Sequence, residues 1–273
     1  MGWRDRGVQV KTPEQVAVMR RAGLVVGRTL EMVRELARPG LTTGELDAAA
    51  EAHIRQLGAT PSFLGYHGFT GSLCVSVNDE VVHGIPGGRV LSEGDLVSID
   101  CGAIVDGWHG DAAITIALGD VPEEVATLMR VTEEAMWRGI AAARPGGRVT
   151  DISHAVETHV RAAGRYGILE DYTGHGIGSE MHQAPDVPNY GKPGRGPRLV
   201  PGLALAVEPM VTLGSAEVDL LDDDWTVVTH DGSWAAHSEH TFTLTPDGGT
   251  WVLTALDGGK VVLESLGVTY GGD

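Results

Sequence analysis

The sequence predicts an α+β protein in which helices and antiparallel strands are mixed and the two halves of the chain are related. Apolar residues recur at helical spacing behind helix-start signals in two places, and a tight-turn dipeptide joins two strand-like segments. In addition, residues 37–58 and 143–164 share nine identities over 22 positions at a constant offset of 106. Chance predicts roughly one or two, so the match indicates an internal duplication.

Two helices are predicted at the start of the chain. Thr12 is a suitable N-cap, Pro13 suits the first helical position, and apolar residues then recur every three or four positions until Pro39 ends the helix. A second helix is predicted over about 43–57. Pro122 and the residues after it echo Pro13 and its successors, so the duplication predicts a second helix pair.

A β-hairpin is predicted around Asp106-Gly107, because this dipeptide is the strongest short signal for a two-residue turn with positive φ angles. With this turn, Gly102 faces Asp111, and Asp100 lies on the same face as a diagonal neighbour. Each carboxylate has a glycine beside it, so we expect open space between them. Two such carboxylates either hold divalent cations or are ordinary solvated side chains.

The duplication extends into the strands. Residues 91–100 align with 199–208 at an offset of 108, which places Glu208 where Asp100 lies in the first half. If the halves pack about a pseudo-two-fold axis, both carboxylates point at one central site. No linker is evident, so we predict a single catalytic domain over residues 1–273 with halves of about 10–118 and 119–253.

The remaining segments are predicted mainly as loops and strands. His83 and His175 are surrounded by glycine and proline, which is typical of loops that present functional side chains. Residues 185–201 are predicted as a long surface loop, residues 222–225 as an acidic turn, and residues 239–244 as a strand. The last thirty or so residues indicate strands and glycine turns.

Composition restricts the classes of function. The chain has 20 Lys and Arg against 37 Asp and Glu, a net charge of −17, which argues against a nucleic-acid surface and suits a cationic partner. Its two cysteines, Cys74 and Cys101, predict neither a disulfide framework nor a cysteine zinc site. The first residues resemble no signal peptide and no run of 18 apolar residues occurs, so we expect a cytoplasmic protein.

Four carboxylates and one imidazole are the candidate metal ligands, and no thiolate accompanies them. Oxygen donors with one nitrogen suit two divalent first-row ions, such as Co, Mn, Fe, Zn or Ni. The predicted ligands are Asp100, Asp111, His175, Glu208 and Glu239.

The motifs that contain these residues resemble those of the type I methionine aminopeptidases of the pita-bread fold, over about residues 10–253. The motifs are LGYHGF at 64–69, VNDEVVHGIP at 77–86, ID at 99–100, WHGD at 108–111, GHGIG at 174–178, VEPM at 207–210 and EHT at 239–241. The resemblance implies a curved, mostly antiparallel sheet backed by helices in two pseudo-symmetric halves. It also implies removal of an N-terminal methionine that precedes a small residue, by water that two metal ions activate.

The resemblance also implies roles for individual residues. Asp100, Asp111 and Glu239 would bridge or chelate two metals, and His175 and Glu208 would complete one ligand shell. Glu208 would also move the proton, and the histidines His83 and His182 would contact the substrate. The implied methionine pocket is lined by Phe63, Tyr66, Phe69, Cys74, Met181 and Trp225, and His83 and His182 are the further substrate-binding residues.

Some positions depart from the family pattern. Met181 stands where many relatives have phenylalanine, and Phe63 where some have cysteine, which alters the pocket. His237 lies where relatives commonly have glutamine and adds a titrating group near the metals. Ala235 replaces the serine with which some relatives build a monovalent-cation site, which argues against such a site here.

The expected partner is the N-terminal methionine of nascent polypeptides, and no membrane or specific nucleic acid is expected. The start Met1-Gly2 would itself be a substrate. We expect a monomer, with a local basic patch of Lys192, Arg195 and Arg198 available for a ribosome contact. The alternatives are a proline-specific pita-bread aminopeptidase or dipeptidase, and a pita-bread module that binds peptides without catalysis.

Overall fold

The computed structural model describes residues 7–272. The predictions that Met1-Gly2 is a substrate and that the first residues form no signal peptide therefore concern residues outside the described part. The helices are α1 (Pro13–Leu36), α2 (Thr43–Gln56), α3 (Glu123–Ala142), α4 (Val149–Ala163) and α5 (Lys260–Ser265). The strands are β1 (Thr60–Pro61), β2 (Leu73–Val77), β3 (Glu80–Val82), β4 (Leu96–Val105), β5 (Trp108–Ala117), β6 (Gly167–Ile168), β7 (Gly174–Gly176), β8 (Gln183–Val187), β9 (Ala204–Val207), β10 (Met210–Thr212), β11 (Val218–Leu220), β12 (Val227–Thr229), β13 (Ala235–His237), β14 (Glu239–Leu244) and β15 (Thr250–Val252).

A large antiparallel sheet carries strands from both halves in the order β1-β4-β5-β14-β9-β7-β8, with β2 also paired to β4 and β15 to β14. The halves meet where β5 pairs with β14, with Glu239 opposite Ala113. The β4–β5 pair lies on one side of this seam, and the β9–β14 pair lies on the other. Smaller sheets, β13-β10-β6 and β11-β12-β3, flank this arrangement. The predicted α+β class is confirmed.

The predicted helix starts are confirmed in detail. The Thr12 side chain accepts a hydrogen bond from the Gln15 backbone while the Gln15 side chain accepts one from the Thr12 backbone, which closes a capping box. Thr42 and Glu45 form the same box at α2. The first residues of α2 and α4 are 106 positions apart, in agreement with the duplication.

Each half has its own apolar core. The core of the first half lies between the first helix pair and β2, β4 and β5, with Val26, Leu46 and Ile99 fully buried. The larger core of the second half lies between the second helix pair and the sheet around Ile140 and Phe242. No helix within residues 7–272 is long and apolar enough to cross a bilayer.

Helix α1 lies directly on the sheet because glycines face each other at the contact. A Cβ atom on Gly110 would lie 2.7 Å from the backbone nitrogen of Gly23, and one on Gly23 would lie 2.1 Å from the carbonyl oxygen of Leu253. Gly110, the glycine beside Asp111, therefore permits helix–sheet packing. Successive residues of a strand face opposite sides of the sheet, so Gly110 does not border the space between the two carboxylates.

Further predictions need correction. His175 lies within β7 rather than in a loop, because its backbone pairs with β8 and the neighbouring Gly176 pairs with β9. Strand β8 occupies the start of the loop predicted over 185–201, so the loop begins later. Helix α5 lies in a segment predicted as strands and turns. Strand β13, which contains His237, was not predicted.

Candidate metal centre and substrate pocket

The hairpin of β4 and β5 has the predicted register. Asp106 and Gly107 both have positive φ angles, of 48° and 80°, as the turn requires. Gly102 is paired with Asp111 and Ala113 with Asp100, so the two carboxylates are diagonal neighbours on one face of the hairpin. Their carboxyl groups are close enough for each to affect the pKa of the other.

Gly102 was expected to leave open space between these carboxylates, but Phe63 and Ser62 occupy the space over it. A Cβ atom at this position would lie 2.7 Å from a ring carbon of Phe63 and 2.8 Å from the Cβ of Ser62. The missing side chain therefore lets the Phe63 ring approach the hairpin and form part of the pocket wall. Gly102 is therefore needed for the packing of the pocket wall.

The second half adds the other predicted ligands. Glu208 follows β9 directly, Glu239 opens β14, and His175 lies in β7, the strand next to β9. One donor atom each from Asp111, His175 and Glu239 lies within 4.8 Å of the others. The two halves of the duplication thus converge on one site, as the sequence predicted.

The geometry of these residues fits divalent cations. Oxygens of Asp100, Asp111 and Glu239 are buried and have no hydrogen-bond partner, although such atoms are ordinarily satisfied. The Nδ1 of His175 hydrogen-bonds the carbonyl oxygen of Gly176 at 3.0 Å. With the proton on Nδ1, the Nε2 lone pair faces the carboxylates, which is the usual tautomer of a metal ligand.

Crowding of buried carboxylates favours their protonated forms. Burial raises the pKa of Asp100 to about 7. Burial, and then the negative charges of Glu239 and Asp100, raise the pKa of Asp111 well above its ordinary value. The pKa values of Glu208 and Glu239 are raised by the same causes. A cluster of this kind reaches its charged form only beside positive charge, which cations supply.

His175 and Glu208 are in contact, with the imidazole Nε2 3.3 Å from a carboxylate oxygen. Burial lowers the pKa of His175 to about 3, and burial also raises the pKa of Glu208. Both shifts favour the uncharged forms, so the contact is not an ion pair. Both donors are therefore available to a metal.

Thr241 fixes the backbone at the seam between the halves. Its hydroxyl donates to the carbonyl oxygen of Asp111 at 2.8 Å and accepts from the Asp111 backbone N–H at 3.2 Å. Thr115 makes the equivalent pair of bonds to the backbone of His237. These two threonines hold the backbone of Asp111 and His237 in place across β5.

Every predicted site residue lines one pocket of about 440 Å³. The carboxylates and His175 lie in it together with an apolar cluster that matches the predicted methionine pocket. Phe69 and Trp225 pack edge to face in this cluster, with their ring centroids 5.0 Å apart. The cluster comprises Phe63, Phe69, Cys74 and Met181, with Tyr66, Ile85 and Trp225 packed against them.

The two predicted substrate histidines also lie in the pocket. The Tyr66 hydroxyl is 2.8 Å from Nδ1 of His182, and the rings of His182 and His175 are 4.4 Å apart. Burial lowers the pKa of His83 to about 4, and His83 has a positive φ of 61°, an uncommon backbone conformation for a non-glycine residue. The Trp225 and His83 rings pack edge to face.

Sequence reasoning missed some pocket residues. Tyr172 packs its ring 5.8 Å from His83, and Asp171, Thr173 and Asp186 also line the pocket. Asp171, Tyr172 and Thr173 come immediately before the GHGIG motif, so proximity to that motif was the available signal. Asp186 lies on β8, which pairs with the strand of His175, and no local pattern marks it.

The site has the donors of a metal-dependent peptidase, and comparison with known proteins agrees. The family model for metallopeptidase family M24 matches residues 17–246. The chain therefore belongs to metallopeptidase family M24, and it is similar to several methionine aminopeptidases. The methionine aminopeptidase of Clostridium acetobutylicum is 52% identical over 246 residues, which cover 90% of this chain and 98% of that protein.

Solved structures agree with the fold. The crystal structure of the methionine aminopeptidase from Thermotoga maritima has a TM-score of 0.89 and 42% identity, covering 91% of this chain and 99% of that one. The prolidase of Pyrococcus furiosus, at 22% identity, has a TM-score of 0.73 and shares the fold alone. That match covers 92% of this chain and 66% of the prolidase. The pita-bread fold that the sequence predicted is confirmed.

Proposed function

We propose that this protein removes the N-terminal methionine from polypeptides whose second residue is small, by metal-dependent hydrolysis of the first peptide bond. The proposal rests on one observation, which is that the candidate metal ligands and an apolar cluster line the same pocket. The buried carboxylates and His175 lie beside an apolar cluster of aromatic rings and sulfur atoms. Such a cluster suits a thioether, which gains from apolar burial and from contact with ring edges.

Asp100, Asp111, His175, Glu208 and Glu239 would hold two divalent ions. When bound, such ions make water a nucleophile at neutral pH and polarise a carbonyl group. The family resemblance implies that Glu208 would take a proton from the attacking water and release it to the leaving amine, and its carboxylate lines the pocket where this would occur. We therefore assign Glu208 the proton transfer.

His182 and His83 would bind the peptide group. If the Tyr66 hydroxyl donates to Nδ1 of His182, Nε2 carries the hydrogen and can donate to the oxygen on which negative charge develops. His83 lies beside Tyr172 and Trp225, where it can hydrogen-bond the nitrogen of the scissile bond. Its low pKa keeps the ring neutral, so one ring nitrogen is available as an acceptor.

Further features of the proposal come from the sequence. We propose that the protein acts in the cytoplasm as a monomer and forms a single domain with halves of about 10–118 and 119–253. Co, Mn, Fe, Zn and Ni all suit the donors, and availability in the cell would decide among them. Lys192, Arg195 and Arg198 are exposed and form the basic patch proposed for a ribosome contact.

Peptide cleavage tests the proposal. Met-Ala-Ser and Ala-Pro-Ser are incubated with the protein and added Mn or Co, and the released amino acid is identified. We expect release of methionine alone, and loss of this activity in Asp111→Asn. Asp106→Asn serves as the control, because Asp106 belongs to the same hairpin but its side chain is 69% exposed at the turn.

The other outcomes contradict the proposal in distinct ways. Cleavage of the proline peptide alone would assign the protein to the proline-specific alternative, whose fold it shares. Absence of cleavage with every metal would favour the peptide-binding module. Full activity of Asp111→Asn would contradict the assignment of Asp111 as a ligand.

A further inference from the structure

His237 is a buried side chain at the metal centre for which the mechanism above has no use. It lies in β13, directly before Ser238 and Glu239, and is 1% exposed. Its Nε2 is buried and has no hydrogen-bond partner. An unpaired imidazole nitrogen of this kind requires an explanation, because buried polar atoms are ordinarily satisfied.

Two carboxylates that are candidate metal ligands lie near the His237 side chain. One donor atom each from Glu208, His237 and Glu239 lies within 4.8 Å of the others. The group of Asp111, His175 and Glu239 meets the same condition. Glu239 belongs to both groups, so its carboxylate lies beside both imidazoles.

The distance between His237 and Glu208 favours a shared ion over a direct hydrogen bond. The Nε2 of His237 is 3.7 Å from a carboxylate oxygen of Glu208, whereas N–H···O bonds are about 2.7–3.2 Å long. Two ligands bound at about 2.1 Å lie about 3.0 Å apart at a right angle and about 3.4 Å apart at a tetrahedral angle. A small adjustment of the rings therefore brings both atoms onto one ion.

The backbone of His237 is also held rigidly. The Thr115 hydroxyl donates to its carbonyl oxygen at 2.7 Å and accepts from its N–H at 3.0 Å. Strand pairing places Met210 of β10 opposite His237. The backbone position of His237 is thus set by neighbouring strands on both sides, which supports a ligand that must be in place before the metal binds.

We propose that His237 is a sixth protein ligand of the metal centre and binds, through Nε2, the ion that Glu208 and Glu239 also contact. Glu208 also contacts His175, so the same ion would carry both imidazoles, from His175 and His237. The inference rests on the proposed function, because it concerns the same two-ion site. An added nitrogen donor favours Fe, Co, Ni and Zn over Mn, which suits oxygen donors.

X-ray absorption at the metal edge tests the proposal. The full-length protein is loaded with two equivalents of Co²⁺ or Zn²⁺, and the imidazole groups bound per ion are counted. We expect an average of about one imidazole per ion in the wild type and about half in His237→Gln. An average of about half in the wild type would overturn the proposal, and this measurement requires no variant to fold.

Calorimetric titration with Co²⁺ provides a second readout. We expect His237→Gln to weaken one of the two binding events by about 10–100-fold or more, since loss of a supporting residue alone has such effects. The affinity for Mn²⁺ should change less in this variant. His240→Gln is the matched control, because Nδ1 of His240 hydrogen-bonds Thr254 and its ring packs on Trp137. Equal weakening in both variants, or unchanged binding in His237→Gln, would contradict the proposal.

Cleavage of Met-Ala-Ser by the same wild-type sample separates this inference from the proposed function. Cleavage together with half an imidazole per ion would leave the function standing and remove His237 from the ligands. One imidazole per ion without cleavage would leave His237 as a ligand and refute the methionine-specific function.

Discussion

The carboxylate cluster proposed to bind cations should destabilise the folded chain when cations are removed, and Asp100→Asn should relieve this. Burial raises the pKa of Asp100 from an ordinary value of 3.8 to about 7. Between these pH values the folded chain binds more protons than the unfolded chain, so its stability falls as the pH rises. A difference of about three pH units corresponds to about 4 kcal/mol at pH 8, at about 1.4 kcal/mol per unit.

Denaturant unfolding in EDTA at pH 4 and at pH 8 measures this effect. We expect Asp100→Asn to raise the free energy of unfolding at pH 8 by up to about 4 kcal/mol and to change it little at pH 4, where Asp100 is protonated in the folded chain. With excess Mn²⁺ at pH 8, the wild type should instead have the higher free energy of unfolding, because the cation stabilises only a chain that binds it.

Asp106→Asn is the control for this experiment. It changes a carboxylate of the same hairpin that is exposed at the turn, and Asn-Gly also suits such a turn. We expect it to change the free energy of unfolding by less than about 0.5 kcal/mol at either pH. If Asp100→Asn were no more stabilising at pH 8 than at pH 4 in EDTA, the account of the site as a strained carboxylate cluster would be wrong.

Other substitutions test the surroundings of the site. Gly102→Ala should displace the Phe63 ring, lower stability by about 1–3 kcal/mol and raise KM for Met-Ala-Ser, measured by denaturant unfolding and steady-state kinetics. Tyr66→Phe should lower kcat more than it raises KM, because it frees the Nδ1 of His182, and a kinetic pH profile would show an altered His182 titration. Thr12→Ala should lower the free energy of unfolding by about 1 kcal/mol through loss of the helix cap, with no change in kcat.

Matched variants provide the controls for these predictions. Gly88→Ala adds a methyl group where nothing lies within 4 Å, so it should be close to neutral. Tyr172→Phe removes a hydroxyl from the same pocket and should leave the His182 titration in place. Thr12→Ser keeps the capping oxygen and should restore most of the lost stability. A control that behaves like its test variant would contradict the corresponding explanation.

Local chemistry explains why parts of the fold could be predicted. The turn at Asp106-Gly107 sets the register of the hairpin, because neighbouring residues determine its backbone angles. The Thr12 cap defines the start of α1 within a few residues. The offset of 106 indicated the second helix pair, since duplicated sequences fold alike. From these, Asp100 and Asp111 could be placed on one face without a structure.

The resemblance to a known family supplied the rest of the site prediction. Periodicity and composition alone do not mark His182 or Trp225 as pocket residues, whereas the ordered motifs do. The roles assigned to individual residues remain predictions, and the variants above test those of Asp100, Asp111 and Tyr66. The two-fold relation between Asp100 and Glu208 is the part of the site that the duplication itself indicated.

The sequence by itself therefore determined the hairpin register, the helix starts, the two related halves and the residue types of the metal centre. Tertiary structure alone decided how the halves meet at the β5–β14 seam, where Thr241 holds Asp111. It also decided that Gly102 admits Phe63 and that His237 faces Glu208. These contacts join residues about 30 to 130 positions apart, and their geometry depends on packing between elements, which no local preference of the chain encodes.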